Sequence, residues 1–337
     1  MKKLSKIHLS SLTAILFGLG LPVFTSSTTW AQAVKVEVVK QGGKYQLLRN
    51  GEPYRVKGAG LDGADLEKLA AHGGNSIRTW GTVDGPEGTM QLLDQAHALG
   101  ITVSLCLYTN PERLGFDYDN ETAVNRQFAA IKQEVLKYKD HPALLTWIIG
   151  NELNYDYKNP RVYDAVNDIS EMIHEVDPNH PTTTTTAGFS EGLIEVIHNR
   201  APDLDFISFQ LYAQLFVLPE FIKDTGFTDP YFITEWGAIG HWEVPKTSWG
   251  APLEQNSSEK AETYLRGYRK VIEPFADQVL GNYVFLWGQK QERTPTWYGL
   301  FTETGEETEV IDVLHYIWTG NWPENRTPQI ESMRLDG

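Results

Sequence analysis

Two apolar runs in this chain end in a carboxylate. His141-Pro142-Ala143-Leu144-Leu145-Thr146-Trp147-Ile148-Ile149-Gly150 leads into Asn151-Glu152, and Tyr231-Phe232-Ile233-Thr234 leads into Glu235-Trp236-Gly237. Two carboxyl groups facing one another can cleave a glycosidic bond. One protonates the leaving oxygen while the other attacks the anomeric carbon, and in the retaining version they stand about 5–5.5 Å apart. Their environments must differ, so that one is protonated and the other ionised near the working pH. On this reading Glu152 is the acid/base and Glu235 the nucleophile.

Other residues fit around that pair. Arg78 interrupts the apolar stretch Asn75-Ser76-Ile77-Arg78-Thr79-Trp80. A buried guanidinium needs a carboxylate partner, and Glu235 is the candidate. Tyr212 closes Ser208-Phe209-Gln210-Leu211-Tyr212 and is placed to donate to the same carboxylate. Asn151, next to the acid, is a candidate for a sugar hydroxyl. Trp80, Tyr108, Trp236, Trp242 and Trp287 are candidates for stacking on sugar faces, since aromatic rings pair an apolar body with a specific contact geometry. Each has a plainer alternative: Glu152 as a helix N-terminal acid, Glu235 as a mere partner of Arg78, the aromatics as core.

What must position these side chains is a repeating strand–helix unit. Short apolar runs at 54–60, 76–80, 101–107, 143–149, 181–187, 205–212, 231–236 and 283–288 read as strands. Between them, stretches such as 89–99, 121–139, 160–176 and 258–272 carry apolar residues at three- and four-residue spacing, the mark of amphipathic helices. Eight such units predict an α/β fold, a closed (β/α)₈ barrel. The competing open sheet lacks the glycine-rich first turn of a dinucleotide fold. In a barrel the strand C-termini carry the site, and the fourth and seventh strands face each other across the mouth. Ahead of the barrel, 34–53 alternates in strand fashion around Asn50-Gly51, a hairpin signal, and predicts a small β-hairpin cap.

Composition narrows the partners. The formal charge of −15 disfavours nucleic acid, anionic membranes and polyanionic substrates, and leaves a neutral carbohydrate as the fitting ligand. Lys2, Lys3 and Lys6, an apolar stretch from Leu9 to Phe24 and Ala31-Gln32-Ala33 read as a signal peptide cut after Ala33. The expectation is a secreted or periplasmic chain with no stable membrane insertion after cleavage. Cys106 is the single cysteine, so an intramolecular disulfide is impossible. The histidines show no ligand spacing such as H-E-x-x-H, and neither a metal nor another cofactor is expected.

His141-Pro142 followed by Trp147-Ile148-Ile149-Gly150-Asn151-Glu152 resembles the acid/base strand of the retaining (β/α)₈ glycoside hydrolases. It is most similar to the β-galactosidase and β-glucuronidase type and also resembles cellulase-type and β-1,3-glucan transglycosylase families. Gly74 to Trp80 looks like their second strand, and Val284-Phe285-Leu286-Trp287 like their eighth, whose Trp floors the sugar site. The resemblance covers about 54–290. It implies Asn151-Glu152 as acid/base with its preceding Asn, Glu235 as nucleophile, and a β-glycosidase, with a β-glucan as the expected substrate. The β-sandwich domains of the galactosidase type have no counterpart in the roughly 20 residues ahead of the first barrel strand. A transglycosylase using the same pair, or a non-catalytic carbohydrate-binding barrel, remains open.

Overall fold

The computed structural model describes residues 32–63 and 65–329. The expected leader, but for Gln32 and Ala33, lies outside the described residues. The first described elements are three short antiparallel strands, β1 (Val36–Gln41), β2 (Lys44–Arg49) and β3 (Glu52–Pro53). Asn50 and Gly51 turn the chain between β2 and β3 with φ of 54° and 79°. That pair of left-handed residues is what a tight type I′ hairpin turn requires.

Eight parallel strands then close into a barrel: β4 (Val56–Asp62), β5 (Ser76–Arg78), β6 (Thr102–Leu107), β7 (Leu144–Asn151), β8 (Thr182–Ala187), β9 (Phe206–Gln210), β10 (Tyr231–Gly237) and β11 (Val279–Gly288). Closure runs from β9 to β10, β10 to β11 and β11 back to β4. Helices alternate with the strands: α1 (Leu66–Ala71), α2 (Thr89–Ala98), α3 (Glu121–Tyr138), α4 (Arg161–Val176), α5 (Glu191–Arg200), α6 (Leu218–Thr225), α7 (Ser257–Gly267) and α8 (Glu309–Thr319). All eight expected strands are present. The last begins at Val279 rather than 283, and the helix expected over 258–272 is regular only to Gly267. The (β/α)₈ expectation holds.

The small antiparallel sheet seals one end. Val36 N–H donates to Asn179 O at 2.7 Å, Tyr45 N–H to Asp277 O at 2.7 Å, and Arg49 Nη2 to Pro142 O at 2.9 Å. Each acceptor lies just before a barrel strand, so the sheet covers the strand N-termini. There Val36, Leu47 and Val56 bury against Leu145, Phe206, Phe232, Leu280 and Tyr283. Above this plug the barrel interior is lined by hydroxyls that satisfy one another, as buried polar groups must. Tyr283 OH lies 3.1 Å from Ser76 Oγ and 2.5 Å from Ser104 Oγ, Thr183 Oγ1 pairs with Ser208 Oγ at 2.8 Å, and Thr185 pairs with Thr234. The threonine run of β8 thus supplies both β-branched strand residues and interior hydroxyls. With one end closed, the opposite mouth at the strand C-termini is the open one.

Candidate active site

At that mouth, β7 leaves the sheet in an unusual way. Gly150 has φ 75° and Glu152 φ 51°. A positive φ is uncommon for glutamate, and here it turns the chain just as the strand ends. Asn151 stays in the ladder opposite Thr185, and its Oδ1 accepts from Arg78 Nη2 at 2.7 Å and Gln210 Nε2 at 2.8 Å. The Glu152 backbone is pinned on both sides: its N–H donates to Thr185 O at 3.0 Å, and its carbonyl accepts from Arg113 and from Tyr155 N–H.

Glu235, in β10, is 5% exposed. Its Oε1 accepts from Arg78 Nη1 at 3.0 Å and Trp80 Nε1 at 2.9 Å, and its Oε2 from Tyr212 OH at 2.8 Å. All three partners donate, the pattern a carboxylate accepts. Arg78 has no exposed surface. Its second nitrogen reaches Asn151, and its guanidinium carbon lies 4.9 Å from the Trp80 ring centre. A buried guanidinium is tolerated because carboxylate, amide and ring compensate its lost hydration.

Electrostatics distinguish the two acids. Burial pushes Glu152 up to about 7, the nearby Glu235 charge adds to the rise, Arg113 and Arg78 oppose it, and Glu292 adds a little more. The Glu235 charge thus acts on Glu152. Burial, then the charge and hydrogen bond of Glu235, hold the Tyr212 hydroxyl well above its ordinary range. It remains a donor at any ordinary pH.

An aromatic wall completes the pocket. The Phe285 ring sits 5.8 Å from Trp80, 6.0 Å from Tyr212 and 5.5 Å from Tyr298. Trp242, 54% exposed, stands edge-on to Tyr212 at 5.3 Å. Tyr108 is also exposed, in the loop after β6, and makes no recorded bond to either carboxylate.

Two sequence expectations are corrected. β10 shifts register against β9 and β11 after Ile233, so Thr234 and Glu235 both reach the interior and Trp236 faces outward past the irregularity, fully buried against Tyr264 of α7 at 5.4 Å, with Nε1 donating to Asn282. Trp287 is likewise fully buried and outside the pocket, between Phe301, His72 and Trp318 of α8, with Nε1 on Asp65 O. The β11–β4 ladder shifts register between Val284 and Trp287, and past such an irregularity the alternation no longer holds. Phe285 is the β11 ring at the pocket instead.

Sequence reasoning also passed over Gln210, Arg113, Tyr155 and Tyr298. Gln210 was readable as a polar residue ending an apolar strand. Arg113, Tyr155 and Tyr298 lie in loops, where no periodicity marks which side chains turn inward. Among the described residues no group of three or more His, Cys, Asp or Glu can hold a metal ion. No described helix is long and apolar enough to cross a membrane.

The fold and mouth are those of a (β/α)₈ barrel with two carboxylates at the ends of its fourth and seventh strands. No family model matches the chain. A segment of 111 residues, 28% of the chain, is 32% identical to mannan endo-1,4-β-mannosidase F of Aspergillus clavatus and spans 26% of that protein. Among solved structures, the β-D-glucuronidase of Dictyoglomus thermophilum has a TM-score of 0.63 at 18% identity, over 86% of this chain and 55% of that one. A β-galacturonidase from Eisenbergiella tayi gives 0.64 at 18% identity, over 87% and 55%. The chain thus spans about a quarter of its curated relative and about half of these structural neighbours. It resembles the (β/α)₈ glycoside hydrolases in both sequence and fold.

Proposed function

We propose that this chain is a retaining β-glycoside hydrolase that acts on a neutral β-linked polysaccharide or oligosaccharide. Glu235 attacks the anomeric carbon, forming a covalent glycosyl-enzyme as the bond to the leaving oxygen breaks. Glu152 gives its proton to that oxygen, then takes one from the water that releases the sugar. The observation that carries this reading is the unequal setting of the two acids. Glu235 is fixed by three donors, whereas Glu152 is held up to about 7 and so keeps a proton to give near neutrality.

Asn151, Arg78, Trp80, Tyr212, Tyr108 and Trp242 are the proposed substrate-binding or positioning set. Arg78, Trp80 and Tyr212 act by fixing Glu235. Asn151, itself held by Arg78 and Gln210, offers its amide to a sugar hydroxyl. The net charge of −15 supports an uncharged substrate. The named relative makes a mannan a substrate to test beside the β-glucan expected from the sequence. The leader motif supports a secreted or periplasmic location for the catalytic residues 34–337.

Glu235→Gln keeps the side-chain volume and is expected to abolish turnover on a panel of β-glucans, mannans and β-galactosides while the far-UV spectrum is unchanged. Glu152→Ala is expected to lose turnover and regain part of it with azide on an activated aryl glycoside. Near-normal rates in Glu235→Gln would end the assignment.

A further inference from the structure

A third glutamate, Glu243, ties together the two loops that flank Glu235. It lies half-buried in the loop after β10. Its Oε2 accepts from Gly240 N–H at 3.0 Å and from Ala213 N–H at 2.9 Å. Gly240 belongs to the same loop, whereas Ala213 follows Tyr212 in the loop after β9. Two amides from different strand ends thus converge on one carboxylate oxygen, whose two lone pairs and charge suit it to hold both. The loop after β10 is built for this approach. Glu243 N–H donates back to Gly240 O at 2.8 Å, closing a tight turn. A Cβ on Gly240 would stand 2.7 Å from Glu243 Oε2 and 2.6 Å from Trp242 Cε2, so glycine there is what lets the carboxylate fold back onto its own turn.

The bond to Ala213 matters because of the peptide unit it holds. Ala213 begins a 3₁₀ turn, Ala213–Val217, in which Leu215 N–H donates to Tyr212 O at 3.1 Å. The first amide of such a turn has no partner inside it, and no side chain at the start of the turn supplies one. Glu243 fills that place from another loop. The unit joining Tyr212 to Ala213 is then held at both its carbonyl and its amide, which fixes the backbone from which the Tyr212 side chain projects. On the other side of Tyr212, Leu211 N–H donates to Glu235 O at 2.8 Å. Tyr212 is thus tethered on both sides to β10 and the loop that leaves it, and its hydroxyl meets Glu235 Oε2 at 2.8 Å.

Resting on the glycosidase reading above, we propose that Glu243 is a positioning residue for the nucleophile: its carboxylate clasps the loops after β9 and β10 together and thereby aims the Tyr212 hydroxyl at Glu235. Its hydrogen bonds go to two backbone amides and to neither acid, so it acts on the reaction through Tyr212. Arg78 and Trp80 reach Glu235 from the second barrel strand and its end and do not depend on the clasp. Breaking it therefore weakens the hold on Glu235 without abolishing it.

The test is a double-mutant cycle in the full chain, read as kcat/KM on the activated aryl β-glycoside that the wild type cuts fastest, at a temperature where melts show each variant folded. Glu243→Ala is expected to lower kcat/KM about tenfold, the low end of what one hydrogen bond to a charged group is worth. Glu243→Gln keeps an acceptor oxygen at the same reach and is expected to stay within about threefold of the wild type, a neutral acceptor being the weaker one. Glu243→Asp, a methylene shorter, is expected to fall with the alanine variant and takes its place in the cycle should that one not fold. In a Tyr212→Phe background the loss is expected to shrink below about twofold, because the hydroxyl that the clasp aims is gone. A clasp that serves only the fold would lower the melting temperature and leave kcat/KM of the folded variants unchanged, and that result would overturn the proposal. A loss that persists undiminished in Tyr212→Phe, or a glutamine variant no better than alanine, would overturn it as well. If any of these comes with Glu235→Gln inactive, only this inference falls. If no glycoside is cut, or Glu235→Gln stays active, the glycosidase reading falls and this inference with it.

Discussion

Arg78 and Glu235 form a buried ion pair 3.0 Å long, between side chains with 0% and 7% exposure. The same guanidinium reaches Asn151 at 2.7 Å. One side chain from the second barrel strand therefore spans the ends of the fourth and the seventh. It sets the Glu235 carboxylate and the residue before Glu152 in one frame. The proposed catalytic pair would have to be held to within a fraction of an ångström, and this bridge supplies such a frame.

Removing Arg78 should therefore damage both fold and rate. Arg78→Ala leaves a buried carboxylate without its cation, a change that costs about 3–5 kcal/mol. Urea unfolding should report that loss, and turnover should fall even at temperatures where the variant is folded. Wild-type stability and rate together would show that the guanidinium is dispensable to Glu235.

The raised Glu152 fixes a pH signature. A general acid works only while it carries its proton, so kcat/KM should fall as pH rises through about 7. Arg113 and Arg78 hold that value down and Glu292 pushes it up. Arg113→Ala should therefore move the alkaline limb to higher pH, and Glu292→Gln should move it lower. A limb that shifts in the opposite direction, or not at all in Glu152→Gln, would assign it to another group.

Phe285 and Trp287 of the last barrel strand should separate cleanly. Trp287 is fully buried beneath α8, so Trp287→Ala should cost about 3–5 kcal/mol and leave KM near the wild-type value where the variant is folded. Phe285 touches Trp80 and Tyr212, so Phe285→Ala should raise KM or lower kcat at a smaller stability cost. Calorimetry beside steady-state kinetics reads both. A Trp287 variant with wild-type melting and a large KM change would restore it to the pocket.

The sequence by itself determined the elements and their order, and it singled out Glu152 and Glu235. Parallel strands buried on both faces read as continuous apolar runs, so Leu144 to Gly150 and Tyr231 to Thr234 stood out, and a carboxylate after each was conspicuous. Arg78 and Tyr212 were legible for the same reason, as polar groups where an apolar strand should continue. The register shift after Ile233, past which Trp236 faces away from Glu235, left no such mark.

Only the tertiary structure decided which loop and strand-end side chains reach the mouth. The register shift before Trp287 has no local signature, because it arises from fitting β11 against β4 in a closed ring. Arg113, Tyr155 and Tyr298 sit in loops whose paths depend on neighbouring loops rather than on their own residue pattern. The proton affinity of Glu152 was likewise undetermined, since it is set by burial and by charges brought together from four separate segments of the chain.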